Sequence, residues 1–376
     1  MNKAHLSLAT KGEGVNVTRL SDIHSNAKWR DIENTFGVKP EIDFAYSEPF
    51  QLLTEASAQK IKEAGEAELD GPHLCRTVRT SLCIRGSERM EKMIEEIAPE
   101  LEVLVSRLVG NGHRMRIVTK TEHAHLNVQK GKQARPVDNW HQDNTPFVLV
   151  TVLTNHVKDD RGNLIVRPDS TRDKITKKCK LAKPGMSVLL QGSHIWHQAQ
   201  QSDLKERMTL VTSFHCDDPL IFDNFCIHAN LQYGSAPDRE FFEFLEHSFV
   251  RFCKNAEKKP EMSLCEAMKC NKVIKREVEK VVHCYQKGWD LIPVRLKTPA
   301  LSERWLAFGE PIKALQYALG GYIDEGNVHN QVGNTAMKLL VPLLHSVHHK
   351  KKKKEFHKRP GTAVNQVKRL KKIRLL

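Results

Sequence analysis

His141 and Asp143 stand two residues apart in the stretch "WHQDN", immediately before the apolar run "FVLVTVLTN". In an extended segment, residues two apart share one face, so an imidazole and a carboxylate point the same way. A third ligand has to come from elsewhere in the chain. His194 and His197 are the two candidates, within "PGMSVLLQGSHIWHQAQQSDLKERMTLVTSF". That stretch reads as strand, turn, strand, loop and strand, with Gly192 and Ser193 at the first turn. His194 falls in the turn and His197 on the strand after it, which favours His197. Two histidines and one carboxylate on one side of an ion leave the remaining positions open. That ligand set suits non-haem Fe(II), with His141, Asp143 and His197 as metal-binding and catalytic residues.

Arg207 follows His197 by ten residues, and Thr209 stands two further on. A guanidinium grips a carboxylate with two parallel hydrogen bonds, and a hydroxyl on the same strand face adds a third. Holding the distal carboxylate of 2-oxoglutarate requires that combination. On an earlier strand, "AHLNVQK", His125, Asn127 and Lys130 offer further polar groups to such a co-substrate, and the sequence does not separate them. Each assignment has a plainer rival. His141 and Asp143 fit a hydrogen-bonded turn, His197 a packed core histidine, and Arg207 a surface partner for Glu206 or Asp203. Trp140 and Trp196, flanking the proposed ligands, fit barrel packing as well as substrate walls.

Positioning these groups requires a β-barrel, and the apolar pattern predicts one. From Arg114 the period changes from 3.6 to 2, and short extended runs follow one another: "RMRIVTK", "AHLNVQK", "NWHQD", "FVLVTVLTN", "NLIVRP", "SVLLQ", "IWHQAQ" and "RMTLVTSF". No helical segment separates them, which points to an antiparallel sandwich or jelly roll rather than a parallel sheet. Before this block, "EPFQLLTEASAQKIKEAGEAELDG" reads as a helix capped by Thr54 and closed by Gly71. "GSERMEKMIEEIAPELEVLVSRLVGNG" is a longer helix that Pro99 should kink or split. Helical spacing returns after Pro219 in "REFFEFLEHSFVRFC" and in "SLCEAMKCNKVIKREVEKVVHCYQKGW", where Ser263 and Glu266 hold capping-box positions. The expected division is an N-terminal extension with helices over 1–112, a double-stranded β-helix over 113–219, a helical region over 220–345 and a basic, disordered tail over 346–376.

The ordered features "EPFQLLTEASAQKIKEA", "HLNVQKGKQARPVDNWHQDN", "GNLIVRPDSTR", "PGMSVLLQGSHIWHQ" and "RMTLVTSF" resemble the phytanoyl-CoA dioxygenase-like family of Fe(II)/2-oxoglutarate oxygenases, from roughly Pro49 to Phe214. The resemblance implies a cupin-like jelly roll with iron on His141, Asp143 and His197 and 2-oxoglutarate on Arg207. It also implies use of O2, with succinate and CO2 as co-products of oxidising a C–H bond. The chain departs from the family's usual Gly-Asp at Gly185-Met186 and from its Pro-Gly-Ser-His at Pro168-Asp169-Ser170-Thr171. Neither departure falls on an implied metal ligand.

The formal net charge of +14 is local. Residues 350–376 hold twelve Lys or Arg and one Glu, a net +11, so the first 349 residues carry only +3. A nearly neutral body lacks the basic groove that phosphate contacts demand, and "RMTLVTSF" supplies no second arginine. A small or lipid-like organic substrate is therefore expected. The alternatives are a nucleic-acid or protein oxygenase guided by the tail, and a non-catalytic jelly-roll binding protein. No stretch approaches the roughly 20 apolar residues of a spanning helix. The start "MNKAHLSLATKGEGVN" lacks a secretory signal's apolar core. The nine cysteines show no metal-type or disulfide-type spacing, so reduced thiols are expected. A cytoplasmic protein follows from these features, with a nuclear address as the other reading of Lys350–Lys354.

Overall fold

The computed structural model describes residues 6–23, 42–76, 82–117, 123–130, 139–154, 163–167, 177–200 and 206–218. It also describes isolated positions from 221 to 248 and most of 272–309, ending at 312. The basic tail, the capping box at Ser263 and Glu266, and most of the loops after strands at 152 and 167 lie outside the described residues.

Among the described residues, thirteen strands make two antiparallel sheets. The larger follows the order β1 (Val17–Thr18), β2 (Tyr46–Ser47), β11 (Met186–Leu190), β8 (Phe147–Val152), β13 (Glu206–Cys216), β7 (His125–Lys130), β5 (Leu82–Ile84), β4 (Leu74–Arg76). Two further strands join it off this path, β3 (Phe50–Gln51) on β11 and β6 (Met115–Arg116) on β13. The smaller sheet is β10 (Lys177–Cys179), β9 (Leu164–Arg167) and β12 (Trp196–Ala199). Opposite β9, His141 forms an isolated antiparallel bridge with His197 of β12. The architecture is the double-stranded β-helix, mainly β with flanking helices.

The apolar residues decide which face of the large sheet meets which layer. Val148, Val150 and Val152 of β8 pack with Val188 and Leu190 of β11, with Leu164 and Val166 of the small sheet and with Ile195 just before β12; this is the barrel interior. Phe147 and Leu149, of opposite parity, pack into a second core with the helices α2 (Glu55–Glu66) and α3 (Glu88–Val109), which follow the short α1 (Leu20–Ile23). β8 is thus covered on both faces, which explains why "FVLVTV" reads as an unbroken apolar run rather than an alternation. On β13 the same logic puts Met208, Leu210 and Phe214 on the helix side. Arg207, Thr209, Val211, Ser213 and His215 take the barrel side. Helix α2 reaches the sheet closely because Gly65 has no side chain. A Cβ there would lie 2.5 Å from Leu126 Cδ1 and 2.9 Å from Met208 Sδ.

Two helix expectations meet different outcomes. Thr54 caps α2, its hydroxyl accepting from the Ser57 amide, although the helix ends at Glu66 and a turn leads to Gly71. Helix α3 runs through Pro99 without interruption. Pro99 and Glu95 lie on the exposed side, away from the packed face. The buried side carries Met90, Ile94, Ile97, Leu101, Leu104, Val105 and Leu108. At roughly 1.5–3 kcal/mol for each such side chain, their packing outweighs the roughly 3 kcal/mol of an interior proline.

Strands β1 to β5 arise before residue 113, so the N-terminal segment contributes to the sheet as well as to the helices. Short strands of two or three residues carry too little alternation to be read from sequence. After the barrel, the described helices are α4 (Lys272–Leu291) and α5 (Pro299–Ala307). Among the described residues no helix is long and apolar enough to cross a membrane.

Candidate metal centre and co-substrate pocket

His141 and His197 are brought together by backbone pairing. Each amide donates to the other residue's carbonyl, at 3.1 Å from His141 and 2.9 Å from His197, and the rings lie 4.3 Å apart. The Asp143 amide donates to Gly192 O at 2.8 Å, which draws the turn between β11 and β12 against the carboxylate. Gln142 fastens the same turn by donating from Nε2 to His194 O at 3.0 Å. His194 sits in that turn with Nδ1 against Ser193 Oγ at 2.8 Å, outside the cluster.

The protonation pattern follows from the acceptors. His141 Nδ1 lies 2.7 Å from Asn139 O, and His197 Nδ1 lies 3.0 Å from Ile195 O. A carbonyl oxygen only accepts, so each ring carries a proton on Nδ1, and in the neutral ring Nε2 presents a lone pair. Those nitrogens face a carboxylate: His197 Nε2 is 3.2 Å from Asp143 Oδ2 and His141 Nε2 is 3.6 Å from Asp143 Oδ1. Two imidazole nitrogens and a carboxylate oxygen converge there as the ligands of a cation would. A metal ion bound about 2.1 Å from three facial ligands sets neighbouring donor atoms about 3.0 Å apart, close to the spacing found. His197 is buried while His141 and Asp143 are partly exposed, so the open side of the cluster faces outward. The residues present fit a divalent metal with exchangeable positions.

Among the described residues, His215, Asp223 and His247 form a second group of metal-type side chains. Its distances are those of hydrogen bonds. His215 Nδ1 and His247 Nε2 both approach one oxygen, Asp223 Oδ2, at 2.7 and 3.1 Å, while Oδ1 accepts from the Phe225 amide at 2.8 Å. Lys280 of α4 donates to the Asp223 carbonyl at 2.6 Å. Burial alone would raise the Asp223 pKa, but the charges of His215 and Lys280 and the two imidazole hydrogen bonds hold it well below the carboxylate range. This cluster ties the chain after the barrel to the end of β13.

Arg207 is only 3% exposed, so it is no surface partner of Glu206. No carboxylate among the described residues pairs with it, and its Nε makes no hydrogen bond. Burial lowers its pKa to about 10. A buried, uncompensated guanidinium costs several kcal/mol, and an incoming anion would relieve that cost. Its neighbours are polar. Directly opposite on β7 lies Gln129, buried, with neither amide atom hydrogen-bonded; opposite Thr209 lies Asn127. His125 stands opposite Val211, and Lys130 pairs in register with Glu206, its side chain lying outside the described ones. Gln129 was not singled out by sequence. Alternation from Asn127 was the signal that could have found it, since residues two apart on β7 share the barrel face.

Trp140 and Trp196 act as a clamp. The Arg167 guanidinium carbon lies 4.3 Å from the centre of the Trp140 ring and 5.4 Å from that of Trp196. Trp196 is its register partner across β9 and β12. Each tryptophan immediately precedes a proposed ligand, so one cation bridges the two histidine-bearing segments.

No protein-family model matches the chain, and no curated protein matches it either. Solved structures similar to it include a prolyl-4-hydroxylase of Pseudomonas putida, 13% identical over 46% of this chain and 92% of that one, with a TM-score of 0.34. A second is a prolyl hydroxylase of Trichoplax adhaerens in complex with a hypoxia inducible factor peptide, 11% identical over 52% and 94%, TM-score 0.35. A third is SnoN, the non-haem α-ketoglutarate dependent epimerase of nogalamycin biosynthesis, 12% identical over 50% and 84%, TM-score 0.35. Likenesses of this size leave the functional reading to the side chains themselves.

Proposed function

We propose that the protein is an Fe(II)/2-oxoglutarate-dependent dioxygenase, an oxidoreductase in which His141, Asp143 and His197 hold iron and Arg207 holds the distal carboxylate of 2-oxoglutarate. The observation that carries the reading is the presence in one barrel of a convergent two-histidine, one-carboxylate cluster and a buried arginine. Two imidazole lone pairs and a carboxylate converge at 3.2 and 3.6 Å and call for a cation. A buried arginine without a carboxylate partner calls for an anion.

Bound iron would supply redox chemistry with O2 and the 2-oxo acid, giving succinate, CO2 and an oxidised C–H bond. The chain's own work is to fix that chemistry in place. Asn139 and Ile195 set the imidazole tautomers, so both Nε2 lone pairs are directed at the ion. Arg207 and Thr209 orient the co-substrate, with Asn127 and Gln129 on the adjoining strand adding hydrogen bonds. The valines of the barrel interior exclude water from the pocket.

A small or lipid-like organic substrate fits the near-neutral body, whose first 349 residues carry a net +3. The narrower likeness to phytanoyl-CoA dioxygenase-like enzymes is supported by the order of the quoted motifs. Incubation with Fe(II), ascorbate and 2-oxoglutarate, followed by NMR for succinate, tests the reading. Slow succinate formation without added substrate, lost in His141→Ala, is expected. Its absence from metal-loaded, folded wild-type protein would favour the binding-protein alternative.

A further inference from the structure

We propose that Cys75 and Cys83 are a modification site, a thiol pair that a low-molecular-weight disulfide such as oxidised glutathione converts into a cross-strand disulfide in the wall of the co-substrate pocket. The two residues are direct register partners in the hairpin β4–β5, with Sγ atoms 2.8 Å apart. The Arg85 amide donates to His73 O at 3.2 Å. The alternation of an antiparallel ladder then makes Cys75 and Cys83 a hydrogen-bonded pair, with Cα atoms about 5.5 Å apart. That separation lies within the range disulfides span, and the Sγ atoms are already in contact. Both are thiols in this structure.

Access differs between the two, and that sets the order of events. Cys75 is partly exposed and Cys83 is buried. The Cys75 thiolate attacks one sulfur of the glutathione disulfide, forming a mixed disulfide and releasing one glutathione thiolate. The Cys83 thiolate then attacks the Cys75 sulfur and releases the second. Two protein thiols lose two electrons and two protons, and one oxidant molecule becomes two glutathione thiols. The other described cysteines, Cys179, Cys216 and Cys284, are all buried. Burial pushes the Cys179 thiol up to about 12, which leaves almost no thiolate there.

The position of the pair gives the bond a consequence. Cys75 pairs with Cys83, Cys83 with Asn127, and Asn127 with Thr209, one row across four strands. Residues directly opposite share a sheet face, so the sulfurs lie in the same row as the polar wall assigned to 2-oxoglutarate. β4 is the outer strand of the sheet, and β4 and β5 are three residues each. A covalent tie would fix β4 to β5, stiffening the strand on which β7 pairs, and so pre-organise Asn127. This consequence rests on the proposed function; formation of the bond does not.

The test incubates folded, full-length protein in glutathione buffers of defined oxidation, then alkylates it and maps peptides by mass. The expected result is a 75–83 linkage formed ahead of any other, reversed by dithiothreitol and absent from Cys75→Ser. Glutathione retained on Cys75, or two alkylated thiols under oxidising conditions, would overturn the site. The KM for 2-oxoglutarate should be about twofold or more lower in the linked form. An equal KM in an active enzyme would overturn the coupling, and an inactive enzyme that still forms the link would overturn the proposed function and the coupling together.

Discussion

Gly192 packs directly against the Asp143 carboxylate. A Cβ at Gly192 would lie 2.7 Å from Asp143 Oδ2 and 3.0 Å from Val148 Cγ2, and the Gly192 carbonyl already accepts the Asp143 amide. The carboxylate is the group with room to give way, and moving it spoils its alignment with His141 and His197. Gly192→Ala should therefore fold but bind Fe(II) about 10–100-fold more weakly, the range typical of residues that orient metal ligands. A titration with Co(II) as spectroscopic stand-in, beside a thermal melt, measures both effects.

Arg207 separates function from stability. Removing its head group should weaken 2-oxoglutarate binding by about a hundredfold or more, as loss of a buried charge-assisted grip costs 2–5 kcal/mol or above. Because the guanidinium is buried without a carboxylate partner, Arg207→Met should raise the stability of the ligand-free protein by about 1–4 kcal/mol. Urea unfolding with and without 2-oxoglutarate checks both arms. The co-substrate should stabilise wild-type protein and leave the variant unchanged.

The stacked cation Arg167 is expected to steady the metal ligands from outside. Each cation–π contact is worth about 0.5–1 kcal/mol at a partly exposed site. Arg167→Ala should therefore loosen both histidine-bearing segments. Metal affinity should fall several-fold while the KM for 2-oxoglutarate measured at saturating Fe(II) stays near that of wild type. Steady-state kinetics over a matrix of iron and 2-oxoglutarate concentrations distinguishes this outcome from a general loss of fold.

Asp223 links stability to acid pH. Its folded pKa is depressed, so its contribution is fully present above the unfolded value near 4 and is lost progressively as pH falls below it. Asp223→Asn should cost about 3–5 kcal/mol at pH 7, since it leaves a buried cationic network without its anion. It should also flatten the acid limb of the stability curve. Urea unfolding at pH 7, 5 and 3.5 on both proteins reads the difference.

How far the sequence was legible depended on the range of the interactions involved. The strand pattern from "AHLNVQK" to "RMTLVTSF" marked β7, β8, β9, β11, β12 and β13, because alternating or, in β8, continuous apolar residues mark strands covered on one or both faces. His141, Asp143, His197 and Arg207 were singled out by spacing, and the structure brings the first three into one cluster. What escaped was short or long-range. Strands β1 to β5 are two or three residues each and take their pairing from distant partners. β10, at Lys177–Cys179, is absent from the strands the pattern predicts because its lysines hide the alternation. Pro99 suggested a break, yet the proline faces solvent and the buried side of α3 holds the helix together. The cluster of His215, Asp223 and His247 joins a strand to residues 8 and 32 positions further along the chain, a juxtaposition that no local spacing encodes.

In the proposed function one barrel holds both iron and 2-oxoglutarate on the named side chains. Anaerobic addition of Fe(II) and then 2-oxoglutarate to the purified protein, followed in the visible region, tests it most directly. A weak charge-transfer band is expected in wild-type protein, lost in His141→Ala and His197→Ala and recovered in Arg207→Ala only at much higher 2-oxoglutarate. A folded wild-type protein that gives no band, or a band unaffected by His197→Ala, would contradict it.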